Sequence, residues 1–208
     1  MSRSLTLALV LAVPLLSGCV AAVVGAGAVT AGALHDRRSF GTVIDDQTIE
    51  IAVTDRIFGH RIEDEKYFTG KDRIKVVSHN GLVLLIGRVT ADDKIALAGD
   101  LAATVDDVRE VVNELEVGPT AGIGTRIGDS FLSTKVKTAL FDVDIDGFDP
   151  TRVNVTTVND VVYLMGLVTP AEGDAAAREA SQVSGVSRVV KVFEYIDPEQ
   201  RDSEAQPG

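Results

Sequence analysis

Ile74–Thr90, IKVVSHNGLVLLIGRVT, and Val153–Thr169, VNVTTVNDVVYLMGLVT, lie over each other without a gap. Val76 falls on Val155, Asn80 on Asn159, Val83 on Val162, Leu85 on Leu164, Gly87 on Gly166, and Val89-Thr90 on Val168-Thr169. Each copy reads as an alternating strand, a tight turn (His79-Asn80-Gly81 or Asn159-Asp160) and a second strand, which predicts a β-hairpin. Working outward, Ala-rich segments follow both hairpins, Ala91–Thr104 and Pro170–Gln182, and both favour helix; Pro170 suits a first turn. Val105–Val117 then lies over Val183–Ile196 after a one-residue slip, predicting a third strand in each copy. A helix also precedes each hairpin, because Ile49, Val53 and Ile57 recur at i, i+4, i+8, as do Leu132, Val136 and Leu140. The expected fold class is α+β: two tandem units of helix–strand–strand–helix–strand, each a three-stranded mixed sheet covered by two helices. Each unit is near the lower size limit for independent folding, which favours docking of one on the other.

The repeated pattern V-x-V … N-G-x-V-x-L-x-G-x-V-T … V-x-x-V resembles the BON domain, a small α/β module common in exported bacterial proteins. The amino terminus agrees with export. MSRSLTLALVLAVPLLSGC carries one cation, Arg3, then an apolar run from Leu5 to Leu16, then small residues. That run is too short to cross a hydrocarbon core, which needs roughly 20 residues, and it has the form of a secretory signal. Leu16-Ser17-Gly18-Cys19 matches the lipobox of bacterial lipoproteins, which implies cleavage before Cys19 and acylation of that residue. Cys19 is the only cysteine, so no intrachain disulfide can form. Two or more acyl chains anchor a protein stably where one does not. Val20, not Asp, follows the cysteine, which by analogy with lipoprotein sorting implies the outer membrane, on its periplasmic face. The full order resembles the dual-BON outer-membrane lipoproteins: signal 1–18, small-residue stalk 19–45, BON domain 46–117, Gly-rich linker 118–126, BON domain 127–196 and acidic tail 197–208. The tail is polar, without a large apolar residue, and is read as disordered.

Charge narrows the partners. The chain holds 20 Lys and Arg against 31 Asp and Glu, a net −11, and loss of Arg3 with the signal takes this to −12. Nucleic acid is not expected as a partner, since phosphate binding requires cations to displace counterions. The three histidines, His35, His60 and His79, have no Ser, Cys or acid at an activating spacing, so no enzyme is expected. No Gly-rich phosphate loop follows a strand, and neither a cofactor nor a small-molecule substrate is expected. Asp142, Asp144 and Asp146, followed by Gly147, reproduce the first half of a calcium loop. Val153 stands where its bidentate acid belongs, and BON domains carry an acidic turn at this place. No metal is expected, and these three aspartates stand as weak candidates only.

Surface recognition remains, and the repeat supplies an internal control. Structural residues should recur in both copies, whereas functional ones need not. Phe58 falls on Phe141, so both are expected to be structural. Phe131 falls on Thr48, Lys135 and Lys137 on Ala52 and Thr54, Thr138 on Asp55, and Ser133 on Glu50. The second copy has gained an aromatic and two cations and lost two acids. An exposed aromatic among cations suits the headgroup region of an anionic bilayer. The family resemblance implies the same: anionic phospholipid binding through the first helix of the second BON domain, at positions matched here by Phe131, Thr134, Lys135, Val136 and Lys137. The expected function is a lipid-anchored periplasmic protein that binds anionic phospholipid and supports outer-membrane integrity, including at the division site. The alternative is an adaptor that binds an outer-membrane assembly or division protein.

Overall fold

A computed structural model of the protein describes residues 40–62, 65–120 and 122–198. Cys19, the signal and most of the stalk therefore lie outside the described residues. Lobe 1 consists of helix α1 (Phe40–Gly59), a short antiparallel pair β1 (Arg61–Ile62) and β2 (Glu65–Lys66), hairpin β3 (Arg73–His79) and β4 (Leu82–Val89), helix α2 (Asp93–Ala103) and strand β5 (Glu110–Val117). Lobe 2 repeats this without the small pair: α3 (Ile123–Ala139), β6 (Asn154–Val158), β7 (Val161–Val168), α4 (Pro170–Gln182) and β8 (Arg188–Tyr195), with 3-10 turns at Leu140–Asp142 and Pro150–Arg152.

Each lobe has one three-stranded mixed sheet, as expected. The hairpin is antiparallel and the third strand runs parallel to its second strand, at the centre of the sheet. The register is the same in both, with Leu82 opposite Glu110 in lobe 1 and Val161 opposite Arg188 in lobe 2. Both turns have positive φ at their two central residues, Asn80 and Gly81, and Asn159 and Asp160. That is the type I′ geometry whose twist matches a hairpin, and Asn, Asp and Gly are the residues that tolerate it. Gly87 and Gly166 recur for a different reason. A Cβ at Gly87 would stand 1.9 Å from the Arg73 carbonyl oxygen, and one at Gly166 would stand 2.6 Å from that of Arg152.

Ile49, Val53 and Ile57 are buried on one sheet face with Val83, Leu85 and Val89. Leu132, Val136 and Leu140 are buried likewise with Val162, Leu164 and Val168. The alternate residues of the central strands point the other way. Leu82, Leu84 and Ile86, with Val77, meet Tyr163, Met165 and Val192 in a third core. Since successive strand residues face opposite sides, this third core packs sheet on sheet between the lobes, with the helices on the outside. Fully burying an aliphatic side chain contributes roughly 1.5–3 kcal/mol, against about 0–1 kcal/mol for an exposed ion pair. Apolar contact therefore holds the lobes together. The rim bonds, Arg109 to Glu194 at 2.8 Å, Asn80 Nδ2 to Glu194 at 2.8 Å and Arg188 to Glu114 at 3.6 Å, select the register. Burial pushes the Tyr163 hydroxyl up to about 12, with Glu114 adding to the shift and Arg188 opposing it.

Helix α3 starts at Ile123, inside the segment whose glycines suggested a linker. Gly124 and Gly128 have open space where a Cβ would stand, so these exposed turns carry glycine without using its conformational freedom.

Candidate functional site

The first helix of each lobe is locked to its hairpin by a buried carboxylate. Asp46 accepts hydrogen bonds from the backbone N–H of Asn80 (2.7 Å) and Gly81 (2.9 Å) and from the Ser78 hydroxyl (2.7 Å). Asp129 accepts from the N–H groups of Asn159 (3.1 Å) and Asp160 (3.0 Å). Each carboxylate satisfies turn donors that the ladder leaves over. One turn further along, Glu50 accepts from the Ser78 N–H, while Ser133 bonds the Thr157 hydroxyl. The exchange of Glu50 for Ser133 is thus an exchange of partners inside the fold. Sequence reasoning missed Asp46 and Asp129. Their signal was an acid three residues before the first apolar residue of the stripe, in both copies.

With α3 fixed in this way, its outer face is set. At about 100° per residue, Leu132, Val136 and Leu140 define the buried direction, and Ile127, Phe131, Thr134 and Thr138 cluster around the opposite one. Ile127 and Phe131 are 66% and 67% exposed. Thr134 and Thr138 return their hydroxyls to the carbonyls of Ser130 (3.1 Å) and Thr134 (3.0 Å), which removes donors from the surface they cover. Lys135 and Lys137 flank this stripe on its two sides. Lys137 is exposed, whereas Lys135 is half-buried and donates to the Ser184 carbonyl.

Phe141 corrects the expectation drawn from the repeat. It is 69% exposed, so it is no structural twin of Phe58. Phe58 packs onto the first core and meets the fully buried Phe68 edge-on, ring centres 6.2 Å apart. Phe68 belongs to the insertion that lobe 2 lacks. There the chain closes its core with Val143 and Phe148 instead, and Phe141 is left on the surface at the end of the α3 stripe. Five residues, Ile127, Phe131, Thr134, Thr138 and Phe141, then make one outward apolar strip along α3 and its terminal turn. The missing signal was the insertion between Phe58 and Arg73, which the alignment of the helices alone does not weigh.

Asp142, Asp144 and Asp146 are exposed in the loop after this turn, and Asp149 caps the following 3-10 turn by accepting from the Thr151 N–H at 2.9 Å. Among the described residues no group of His, Cys, Asp and Glu gathers to hold a metal ion. His79 is buried in β3, His60 follows α1, and His35 lies outside the described residues. Among the described residues no helix is long and apolar enough to cross a membrane.

Comparison with known proteins agrees with this duplicated architecture. The BON domain model matches residues 45–119 and again 128–197. The chain is 43% identical over 183 residues to the outer membrane lipoprotein DolP of Haemophilus influenzae, covering 88% of this chain and 91% of that one. It is 36% identical over 161 residues to the 21 kDa hemolysin of Actinobacillus pleuropneumoniae, covering 77% and 79%.

Proposed function

Because the chain belongs to the BON-domain family and is a dual-BON outer-membrane lipoprotein of the DolP kind, we propose that its second lobe docks on anionic phospholipid and thereby supports outer-membrane integrity. The single observation that carries this reading is the strip of Ile127, Phe131, Thr134, Thr138 and Phe141, turned away from the core and flanked by Lys135 and Lys137. Rings and methyl groups enter the interfacial layer while the ammonium groups stay at phosphate depth. A lysine near an anionic surface contributes about 1 kcal/mol. That is weak alone. Acylation of Cys19 would hold the lobe at the membrane and raise its effective concentration there, so weak contacts suffice to orient it. The role is binding rather than catalysis.

The test is flotation of the unacylated chain from Val20 to Gly208 with phosphatidylglycerol or phosphatidylcholine vesicles. We expect selective recovery with phosphatidylglycerol, reduced at least fivefold by Phe131→Glu with Phe141→Glu and about twofold by Lys137→Glu. Unchanged recovery of the double variant would show the docking face to be wrong. Recovery with neither lipid would leave the strip as a docking face for an envelope protein.

A further inference from the structure

A cleft of about 280 Å³ opens between β3 and β4 of lobe 1 and α3 and the β6 hairpin of lobe 2. Its walls carry four cations, Arg73, Lys75, Arg88 and Arg126, in a chain whose net charge is −11. Ser130, Ser133, Thr157 and Asn159 add hydroxyl and amide groups, and Ile74, Ile86 and Val158 add apolar surface. The one acid of the cleft is Asp129, whose two oxygens already accept the N–H groups of the β6–β7 turn. Arg88 is held by Glu116 at 3.1 Å. Among the described residues, Arg73, Lys75 and Arg126 form no ion pair. Desolvation lowers the Lys75 ammonium below its ordinary value, Glu50 and Asp129 oppose that shift, and Lys137 adds to it. Lys137 is therefore close enough to Lys75 to be felt there.

The helix explains that proximity. Arg126, Ser130, Ser133 and Lys137 recur at i, i+4, i+7 and i+11, one flank of α3, about a quarter turn from the Phe131 strip. One helix thus offers an apolar strip on one side and one wall of a cation-bearing cleft on the next.

We propose that this cleft is an anion site, and that it takes the phosphodiester headgroup of an anionic lipid whose acyl part lies against the neighbouring strip. The inference rests on the docking function proposed above. Two guanidinium forks and an ammonium offer more donors than the two oxygens of a carboxylate accept, and they suit a phosphate group. The Ser130 and Ser133 hydroxyls already donate within the fold, to the Arg126 carbonyl and to Thr157. The volume is at the lower end for ligand pockets and admits a headgroup but not acyl chains. In the sequence of α1, Val43, Gln47, Glu50 and Thr54 occupy the positions of Arg126, Ser130, Ser133 and Lys137, so that flank has no cation.

The experiment uses the full-length acylated protein in phosphatidylcholine bicelles. Glycerophosphoglycerol, the soluble headgroup of phosphatidylglycerol, is titrated in one arm and inorganic phosphate in another, with the backbone amides of Ser130, Ser133, Thr157 and Asn159 followed by NMR. A saturable shift with the diester is expected, weakened at least tenfold by Arg73→Glu with Lys75→Glu and about threefold by Arg126→Gln, which sits on an exposed helix turn and keeps the fold. Phe131→Glu should leave the shift intact, because its defect is in vesicle recovery. A stronger response to inorganic phosphate than to the diester would overturn the headgroup assignment. No shift in either arm, or a shift indifferent to Arg126→Gln and to the double reversal, would overturn the site while the docking face stands. Vesicle recovery indifferent to Phe131→Glu, with the headgroup shift present, would overturn the docking face instead.

Discussion

The two lobes share register, turn type and glycine positions, yet they solve two local problems differently. The first problem is the N–H at the end of the central strand. In lobe 1, Thr90 gives its N–H and hydroxyl to Asp72 (2.9 and 2.8 Å), which also takes the Lys94 ammonium at 2.8 Å in a buried pair. In lobe 2, the matching Thr169 gives its N–H to Glu172 at 2.7 Å in a capping box at the start of α4. The second problem is the aromatic that ends the first helix. Lobe 1 covers Phe58 with Phe68, while lobe 2 leaves Phe141 in solvent. Lobe 1 spends residues on closing itself, and lobe 2 keeps a face open. A duplicated fold therefore separates what the architecture requires from what one copy alone has been left free to do.

The largest expected effect breaks the first contrast. Asp72→Ala strands a buried ammonium and two turn donors, so it should cost about 3–5 kcal/mol in urea unfolding. Glu172→Ala removes the acceptor of the Thr169 N–H and with it the capping box of α4, and should cost about 1–3 kcal/mol. The acid limb reports on Asp72 as well. Burial alone would raise Asp72, but hydrogen bonds from Lys94, Thr69 and Thr90 together outweigh it and hold its carboxyl at about 2. A folded value below the unfolded one stabilises the protein above the ordinary carboxylate range. That stabilisation is lost as pH falls from about 4 through 2, and Asp72→Asn should flatten this limb.

Next in size is the aromatic contrast. Phe58→Ala should cost about 2 kcal/mol, roughly half the fully buried cost because the ring is half-buried. Phe141→Ala should change thermal unfolding by less than about 0.5 kcal/mol, as an exposed residue does. Equal losses at the two sites would restore the twin relation that the repeat suggested.

The smallest effect concerns what joins the lobes. At neutral pH, Tyr163→Phe should change stability by less than about 1 kcal/mol. Tyr163 is raised to about 12 chiefly by burial, so the neutral phenol is favoured in the folded protein. Its stabilisation is present below pH 10 and lost as pH rises from 10 through 12. The variant should unfold at a higher pH in an alkaline titration followed by circular dichroism.

Much of this was legible in the sequence, because hairpin turns, strand alternation and helix triplets are local patterns. The six triplet residues, Ile49, Val53, Ile57, Leu132, Val136 and Leu140, are all buried. What stayed hidden depends on distant parts of the chain. Phe141 looked structural because the helices align, and only the insertion carrying Phe68 explains why its counterpart is covered. The sheet-on-sheet core had a signal in LVLLIGRV of β4, which is apolar on both faces and so needs cover on both. The cleft had none, since Arg73 and Arg126 come together only when the sheets dock.

The central claim is that α3, and not α1, meets the bilayer. Thr134 and Ile51 are equivalent positions of the two helices and both are exposed. With Cys19 acylated, a cysteine placed at either one is the sole free thiol and takes a spin label. In phosphatidylglycerol-containing vesicles, the label on Thr134→Cys should be open to dissolved oxygen and shielded from a water-soluble nickel complex, and the label on Ile51→Cys the reverse. Equal nickel accessibility at the two sites, or shielding at Ile51 alone, would contradict the account.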